Sequence, residues 1–520
     1  MRRIGILFLA LIAVIAMTAP DVSAQTKVTI SGLIDNVLSW QRNSNHEDSN
    51  PARTGDTEWY ARTRARPDIT AEVGTTKFVL GLEIDYTYGQ TGATSITAPN
   101  RLGTTSSAGP NTDMQGILEL KWAYTEFALP IIPIPNVWRV GAQMATVMYK
   151  PAILMQGDFA GLHLTLTPAP DVKVHFTYNQ MEEENTGIRD GFPRGEDWAI
   201  FLSVEYTPFK GLDIRPIFSY AQIEGITGQA RLGRGGVANV AASFPNAATG
   251  SGAREDRWTI GVDARWKLGA FSIDPTFMYQ GGSRDLFVGS TQLEQKRSAW
   301  LFDVRAGWQA GPLLIEGAAI YTSGNKAGDR IDLGADMDFY EPISTDSGFY
   351  GGWAEMWALN IDYFSSLLPR AGGLNTITAI GYDKYGLIRA GMRARYDLTP
   401  AFSVRTAVTA NWTAEKVDTA STLANASGLT PGDCTVPQAN GGCRDRGNAS
   451  FLGTEIDLGF TWKFAPNVTL DVVGAYNFAG HALATHTSTG NCGGSATCGA
   501  RSGRNPQDSQ SVVTRVRYTF

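Results

Sequence analysis

The chain ends Val512-Val513-Thr514-Arg515-Val516-Arg517-Tyr518-Thr519-Phe520, and the register of this stretch decides how the rest is read. Successive side chains of a strand point to opposite sides. Val512, Thr514, Val516, Tyr518 and Phe520 therefore share one face, while Val513, Arg515, Arg517 and Thr519 share the other. One face is mainly apolar and ends on an aromatic carboxy-terminal residue; the other carries two arginines. The same alternation recurs upstream. In Glu58 to Ile69 the even positions are Glu58, Tyr60, Arg62, Arg64, Arg66 and Asp68, and the odd ones Trp59, Ala61, Thr63, Ala65, Pro67 and Ile69. Phe78, Leu80, Leu82, Ile84, Tyr86 and Tyr88 then alternate with Val79, Gly81, Glu83, Asp85 and Thr87. Further copies occur at 257–267, 302–309, 388–397 and 455–464.

Such a pattern fits a soluble sandwich, with the apolar face as core, as well as a barrel with lipid outside and water inside. The ends of the chain favour the barrel. Met1-Arg2-Arg3 supplies a short positive segment, Ile4 to Ala16 an apolar core, and Val22-Ser23-Ala24 a small-residue cleavage site, which together read as a signal peptide over 1–24. The apolar core is too short to span a bilayer as a helix. The terminal strand ending on Tyr518 and Phe520 resembles the closing strand and assembly signal of Gram-negative outer-membrane β-barrels. Tryptophans and tyrosines at the ends of apolar faces match the interfacial girdles of such barrels.

The organisation is that of one domain, 25–520. No linker, low-complexity tract or charge block divides it, and β-barrels run long as single domains. A composition of 57 Gly, 10% aromatic and only 43% hydrophobic residues suits short alternating strands joined by polar loops. The net charge of −6 argues against a nucleic-acid partner. Short connections with turn residues are expected at 74–76, 168–171, 208–211, 269, 311–312, 399–400 and 466–467. Long loops are expected near 41–56, 89–113, 183–196, 225–255, 282–296, 323–352, 415–450 and 479–508. Short periplasmic turns alternating with long external loops is the barrel rule. The expectation is an all-β transmembrane antiparallel barrel of about 18 strands, within a range of 16 to 20. The pair Trp353 to Phe364 and Asn375 to Asp383 is placed in an external loop, because Trp353, Trp357, Ile361 and Phe364 have near-helical spacing.

The residues expected to line the pore are Arg62, Arg64, Arg66, Glu83, Asp85, Arg389, Arg393, Arg395, Arg405, Arg515 and Arg517. Arg62, Arg64 and Arg66 form one guanidinium ladder, with Arg515 and Arg517 of the closing strand nearby. Arg389, Arg393, Arg395 and Arg405 form a second. Such stripes can draw anions through a pore. They can equally be structural, because Glu83, Asp85, Glu119, Asp263, Asp303, Glu455 and Asp457 also face inward and can pair across strands. Both readings stay open here. Cys434 with Cys443, and Cys492 with Cys498, are expected as two local disulfides of an exported protein.

Enzymatic chemistry is weakly represented. His46, His163, His175, His481 and His486 form no recognisable nucleophile or metal motif, and His175 reads as a wall residue. The run Glu182-Glu183-Glu184, placed in an external loop, suits divalent cations, a solvated loop or a lipopolysaccharide-bridging surface, and is assigned no metal. Neither cofactor nor metal is expected.

The stretch Phe451-Leu452-Gly453-Thr454-Glu455-Ile456-Asp457-Leu458-Gly459-Phe460, with Asn467-Val468-Thr469-Leu470-Asp471 and Tyr476-Asn477-Phe478-Ala479-Gly480, resembles the C-terminal region of the alginate-export family of outer-membrane barrels. The resemblance covers about the last 70 residues of the chain. It implies a monomeric 18-stranded barrel carrying an anionic polysaccharide or, more loosely, a porin-like channel. Elsewhere the likeness is to Gram-negative porins in general. The expected function is passive diffusion of small hydrophilic or anionic solutes across the bacterial outer membrane. Alginate-type export and a loop-closed structural or adhesive barrel are the alternatives. The expected partners are outer-membrane lipid and lipopolysaccharide, the barrel-assembly machinery and periplasmic chaperones, in a monomer or homotrimer.

Overall fold

The computed structural model describes residues 26–43, 57–88, 115–144, 148–183, 196–224, 254–288, 291–326, 335–343, 350, 352–358, 360–363, 385–417, 449–482 and 507–520. The first strands are β1 (Lys27–Arg42), β2 (Thr57–Val73), β3 (Thr76–Tyr88), β4 (Gln115–Phe127), β5 (Asn136–Met144) and β6 (Asp158–Ala169). They are followed by β7 (Val172–Glu183), β8 (Glu196–Phe209), β9 (Leu212–Glu224), β10 (Arg254–Leu268), β11 (Phe271–Val288) and β12 (Thr291–Ala310). The last are β13 (Leu313–Thr322), β14 (Leu387–Thr399), β15 (Phe402–Val417), β16 (Ala449–Ala465), β17 (Val468–Ala479) and β18 (Ser509–Thr519). Each strand pairs antiparallel with its sequence neighbours, and β18 returns to pair with β1, so the 18-stranded sheet is closed. Closure leaves no free edge, which is the condition for a sheet to sit in lipid. The seam is completed at its end by Gly32 and Phe520, whose backbone groups exchange two hydrogen bonds of 2.8 and 3.0 Å.

The two faces differ as the alternation requires. The outer face carries large apolar side chains that are substantially exposed, among them Ile30, Leu38, Val140, Phe302, Met392 and Leu458. An exposed apolar surface of this extent is not tolerated in water by a monomeric soluble protein. Aromatic residues bound it at both ends. Beside the short turns, Phe271 stacks on Trp308, Trp462 meets Phe464 and Tyr518 stacks on Phe520. Toward the long loops, Trp198–Tyr220, Trp258–Tyr279, Tyr279–Trp300 and Trp412–Phe451 form the second belt. The tight turns use backbone that favours glycine or asparagine, as at Gly269 (φ 61°) and Asn467 (φ 60°).

Five details differ from the sequence reading. No long loop lies at 282–296: β11 and β12 run through it and are joined across residues 289–290. These strand ends mix polar and apolar residues on both faces, as in Arg284-Asp285-Leu286-Phe287 and Leu293-Glu294-Gln295-Lys296, so the alternation that marks a strand fades there. Residues 128–135 are an additional connection at the short-turn end, and 145–157 are a connection at the other end that the sequence reading missed. Arg62, Arg64 and Arg66 lie on β2, so β1, with Asp35, stands between them and the closing strand. Glu182 and Glu183 belong to β7 rather than to a loop. The signal segment 1–24, all four cysteines, His46, His486 and Glu184 lie outside the described residues.

Candidate functional site

The inward face of the wall is built from charged side chains whose partners are set by strand register. Cα pairing puts Asp35 of β1 opposite both Arg64 of β2 and Arg517 of β18. Arg517 reaches Asp35 with two bonds of 2.6 and 2.5 Å. Arg64 instead turns to β3, where it grips Asp85 at 2.7 and 2.6 Å and touches Glu83 at 2.8 Å. Arg66 binds Glu83 at 2.5 Å, and Lys121 continues the row from Glu83 (3.4 Å) to Asp158 (2.7 Å). Arg515 pairs with Asp471 at 2.7 Å. Around the remaining circumference Arg139 meets Glu126, Arg215 meets Glu205, Arg265 meets Asp213 and Arg393 meets Glu316. Charges of opposite sign thus alternate across neighbouring strands.

The second stripe is less uniform. Arg389 is fully buried, with Nε donating to Asn411 Oδ1 at 2.6 Å and Nη2 to the Trp357 carbonyl at 3.2 Å. Arg395, half exposed, pairs with Asp397 at 3.2 Å. Arg405 lies opposite Arg395 across the β14–β15 ladder, and its Nε and one terminal nitrogen are buried without an acceptor. Arg62 stands opposite Val37 and Thr87. Thr63 and Asn36 on the other face are joined by a 2.7 Å hydrogen bond.

Among the described residues, two connections fold in against this wall. The first, containing a single 3-10 turn at Pro151–Ile153, is pinned by Asp263, which accepts the amides of Tyr149 (2.7 Å) and Lys150 (3.1 Å). Lys150 Nζ reaches Asp303 at 2.7 Å. The second runs between β13 and β14, and its described residues touch the wall in several places. Its residue Glu341 joins a buried group in which Glu255 binds Arg257, Arg284 and Arg297 at 2.8 Å each. Glu341 itself binds Arg257 at 2.7 Å and Arg297 at 3.0 Å. Farther on, Tyr350, Trp353 and Trp357 are buried, with Trp357 Nε1 donating to Asn477 Oδ1 at 2.8 Å. Finally Asp362 accepts from Gln41 at 3.0 Å, and the Tyr363 hydroxyl donates to Asp35 at 2.9 Å while Arg64 stacks 4.6 Å above its ring. Burial and the neighbouring Asp35 charge push the Tyr363 hydroxyl up from its ordinary value. The two connections also bind each other: Tyr340 donates its hydroxyl to the Ile153 carbonyl, and Ile343 its amide to the Leu154 carbonyl, each at 2.8 Å.

These apolar residues inside the barrel are the part of the site that sequence reading missed. The signal was present: a loop carrying Tyr340, Tyr350, Trp353, Trp357 and Tyr363 is too aromatic to be left in water. His163 and His175 sit in the wall, their rings stacked at 5.8 Å with the Thr165 and Thr177 hydroxyls bonded to them. Among the described residues no three His, Cys, Asp or Glu side chains are arranged to hold a metal ion.

No protein-family model matches the chain, and no curated protein matches it. Among solved structures it is similar to a BenF-like porin from Pseudomonas fluorescens Pf-5, with 10% identity over 95% of this chain and 98% of that one, at a TM-score of 0.49. It is similar to the outer membrane protein opdK from Pseudomonas aeruginosa at 8% identity, covering 95% and 98%, with a TM-score of 0.48. OccK9 (OpdG) of Pseudomonas aeruginosa matches at 10% identity, 95% and 99% coverage and a TM-score of 0.48. Similarity at this level says nothing of solute or mechanism.

Proposed function

We propose that the chain is an outer-membrane channel through which small hydrophilic or anionic solutes diffuse passively. One observation carries this reading: the barrel is closed, its outer face is apolar between two aromatic belts, and its inner face is a circuit of paired charges. Charges facing inward are stable where water remains, and a water-filled lumen is the environment that supplies it. The arginine stripes give anions a favourable path past guanidinium groups. The two connections folded into the lumen narrow it, which favours small solutes over the anionic polysaccharide implied by the C-terminal resemblance. They also favour a second reading, a barrel closed by its loops and serving a structural or adhesive role.

Planar-bilayer recording separates the two. The purified full chain should give discrete single-channel steps, with a reversal potential in a salt gradient displaced toward anions. Absence of steps at every pH and voltage tried would sink the channel reading and leave the closed barrel. Fractionation should place the protein in the outer membrane; recovery from the inner membrane or periplasm would count against it.

A further inference from the structure

Behind Trp353 and Trp357 lies a group of three carboxyl side chains that neither pairs with the stripes nor lines open water. Glu455 of β16 accepts the backbone amides of Glu355, Met356 and Trp357 at 2.6, 2.8 and 2.9 Å. Glu355 in turn accepts the amides of Ile361 at 2.9 Å and Asp362 at 2.6 Å, so the in-folded loop is wound about its own carboxylate. Asp457 lies two residues along β16 on the same face. Its carboxyl is buried against the Glu455 carboxyl and the Glu355 backbone, with no basic side chain among its hydrogen-bond partners. All three are nearly inaccessible, at 2% exposure for Glu355, 1% for Glu455 and 5% for Asp457.

The surroundings do not neutralise this group. Asp362, held by Gln41 of β1, adds a fourth negative charge beside Glu355. From β15 Arg405 faces Glu355, and from β14 Arg389 faces Glu455. Arg389 donates to Asn411 Oδ1 and to the Trp357 carbonyl. Arg393 of β14 lies over the Trp353 ring at 4.5 Å and binds Glu316. β17 contributes the neutral Asn477. Carboxyl groups crowded in this way cannot all be ionised together. Glu455, with three amide donors, is the best site for a negative charge, which leaves a proton to be held by its neighbours.

We propose that docking of this loop on β16 is proton-coupled: it closes on the wall with a proton held among Glu355, Glu455 and Asp457, and loosens when that proton leaves. The direction follows from the docked geometry. Burial holds the Glu355 carboxyl up at about 7, against an ordinary 4.5. A carboxyl whose docked value is raised contributes its full support below the ordinary value and loses it as pH rises through the docked value. The window is therefore pH 4.5 to about 7, and across it the docking equilibrium should weaken by the order of a hundredfold. The loop is closed in acid and loosened in mild alkali.

Hydrogen–deuterium exchange on the folded full-length barrel tests this, read at residues 352–358 and 360–363 and corrected for intrinsic exchange. Protection should be at least about tenfold greater at pH 5.5 than at pH 8. E355Q and D457N remove charge while keeping an acceptor, so each should retain the acid-like protection at pH 8. Equal protection at both pH values in the wild type overturns the proposal, as does an unchanged pH dependence in both variants. If neither variant folds, the wild-type profile alone decides. Exchange is read whether or not the chain conducts, so a failure here is distinct from a failure of the channel reading. If the chain does conduct, single-channel conductance should rise between the same two pH values.

Discussion

Asp35 shows what register does to a single residue. It is fully buried at 0% exposure, and its strand neighbours on either side offer Arg64 and Arg517. It takes Arg517 and the Tyr363 hydroxyl, while Arg64 is drawn to the two carboxylates of β3. The structural role of Arg64 predicts a specific result for Arg64→Gln. Glu83 retains Arg66 and Lys121 as partners, whereas Asp85 loses its bidentate partner. Because Asp85 keeps contact with water, the expected loss is about 1–3 kcal/mol in urea-induced unfolding of the barrel. The same change leaves a net negative charge on that wall, so the reversal potential should shift toward cations. A shift in reversal potential with unchanged stability would instead mean that Arg64 serves transport alone. Tyr363→Phe gives a smaller test. It removes one bond to Asp35 but keeps the ring under Arg64, and should cost no more than about 1.5 kcal/mol.

At the scale of the strand, the closing element carries the clearest prediction. Phe520 extends the apolar register of Val516 and Tyr518, stacks on Tyr518 at 5.9 Å and bonds through its backbone to Gly32. Deleting Phe520 should reduce the folded, heat-modifiable protein recovered from outer membranes; wild-type recovery would count against its role as an assembly signal. A second prediction rests on Gly281, opposite Trp258. A Cβ there would lie 2.2 Å from the indole ring, so Gly281→Val should displace Trp258 from the aromatic belt and lower the thermal midpoint, with tryptophan fluorescence as the readout. These strands were legible because lipid on one side and charge on the other impose period-two alternation along β2, β3, β10, β14, β16 and β18. Legibility ended where that contrast ends. The ends of β11 and β12 near residues 289–290 carry Arg284 and Arg297, which serve the Glu255 group, and Gln295, which donates to the Ala335 carbonyl, and they read as loop. The pairing partners of Arg64, Arg393 and Arg515 depend on register between strands, which no single strand encodes.

Among the described residues, the molecule behaves as a wall with two inserted connections that hold each other as well as the wall. Lys150 and the amides beside it tie the first to β10 and β12. The buried Glu255 group ties the second to β10, β11 and β12. The Tyr340–Ile153 and Ile343–Leu154 bonds then join the two over the same strands. Removing one should therefore loosen the other without opening the barrel, since β5 and β6 retain their own ladder from Asn136–Leu166 to Met144–Asp158. Replacing residues 148–156 by a Gly/Ser segment of equal length should increase single-channel conductance severalfold. It should also raise hydrogen exchange at 335–343, while heat-modifiable migration stays that of a folded barrel. The coupling can be sized with Tyr340→Phe, which removes one of the two joining bonds. In the parent it should cost about 0.5–1.5 kcal/mol of protection at 335–343, and in the replaced background nearly nothing, because the backbone carbonyl at position 153 is then no longer held against the Tyr340 hydroxyl. If the two changes add in full, the connections act independently. The lumen would then be narrowed by two separate obstacles rather than by one joined insert.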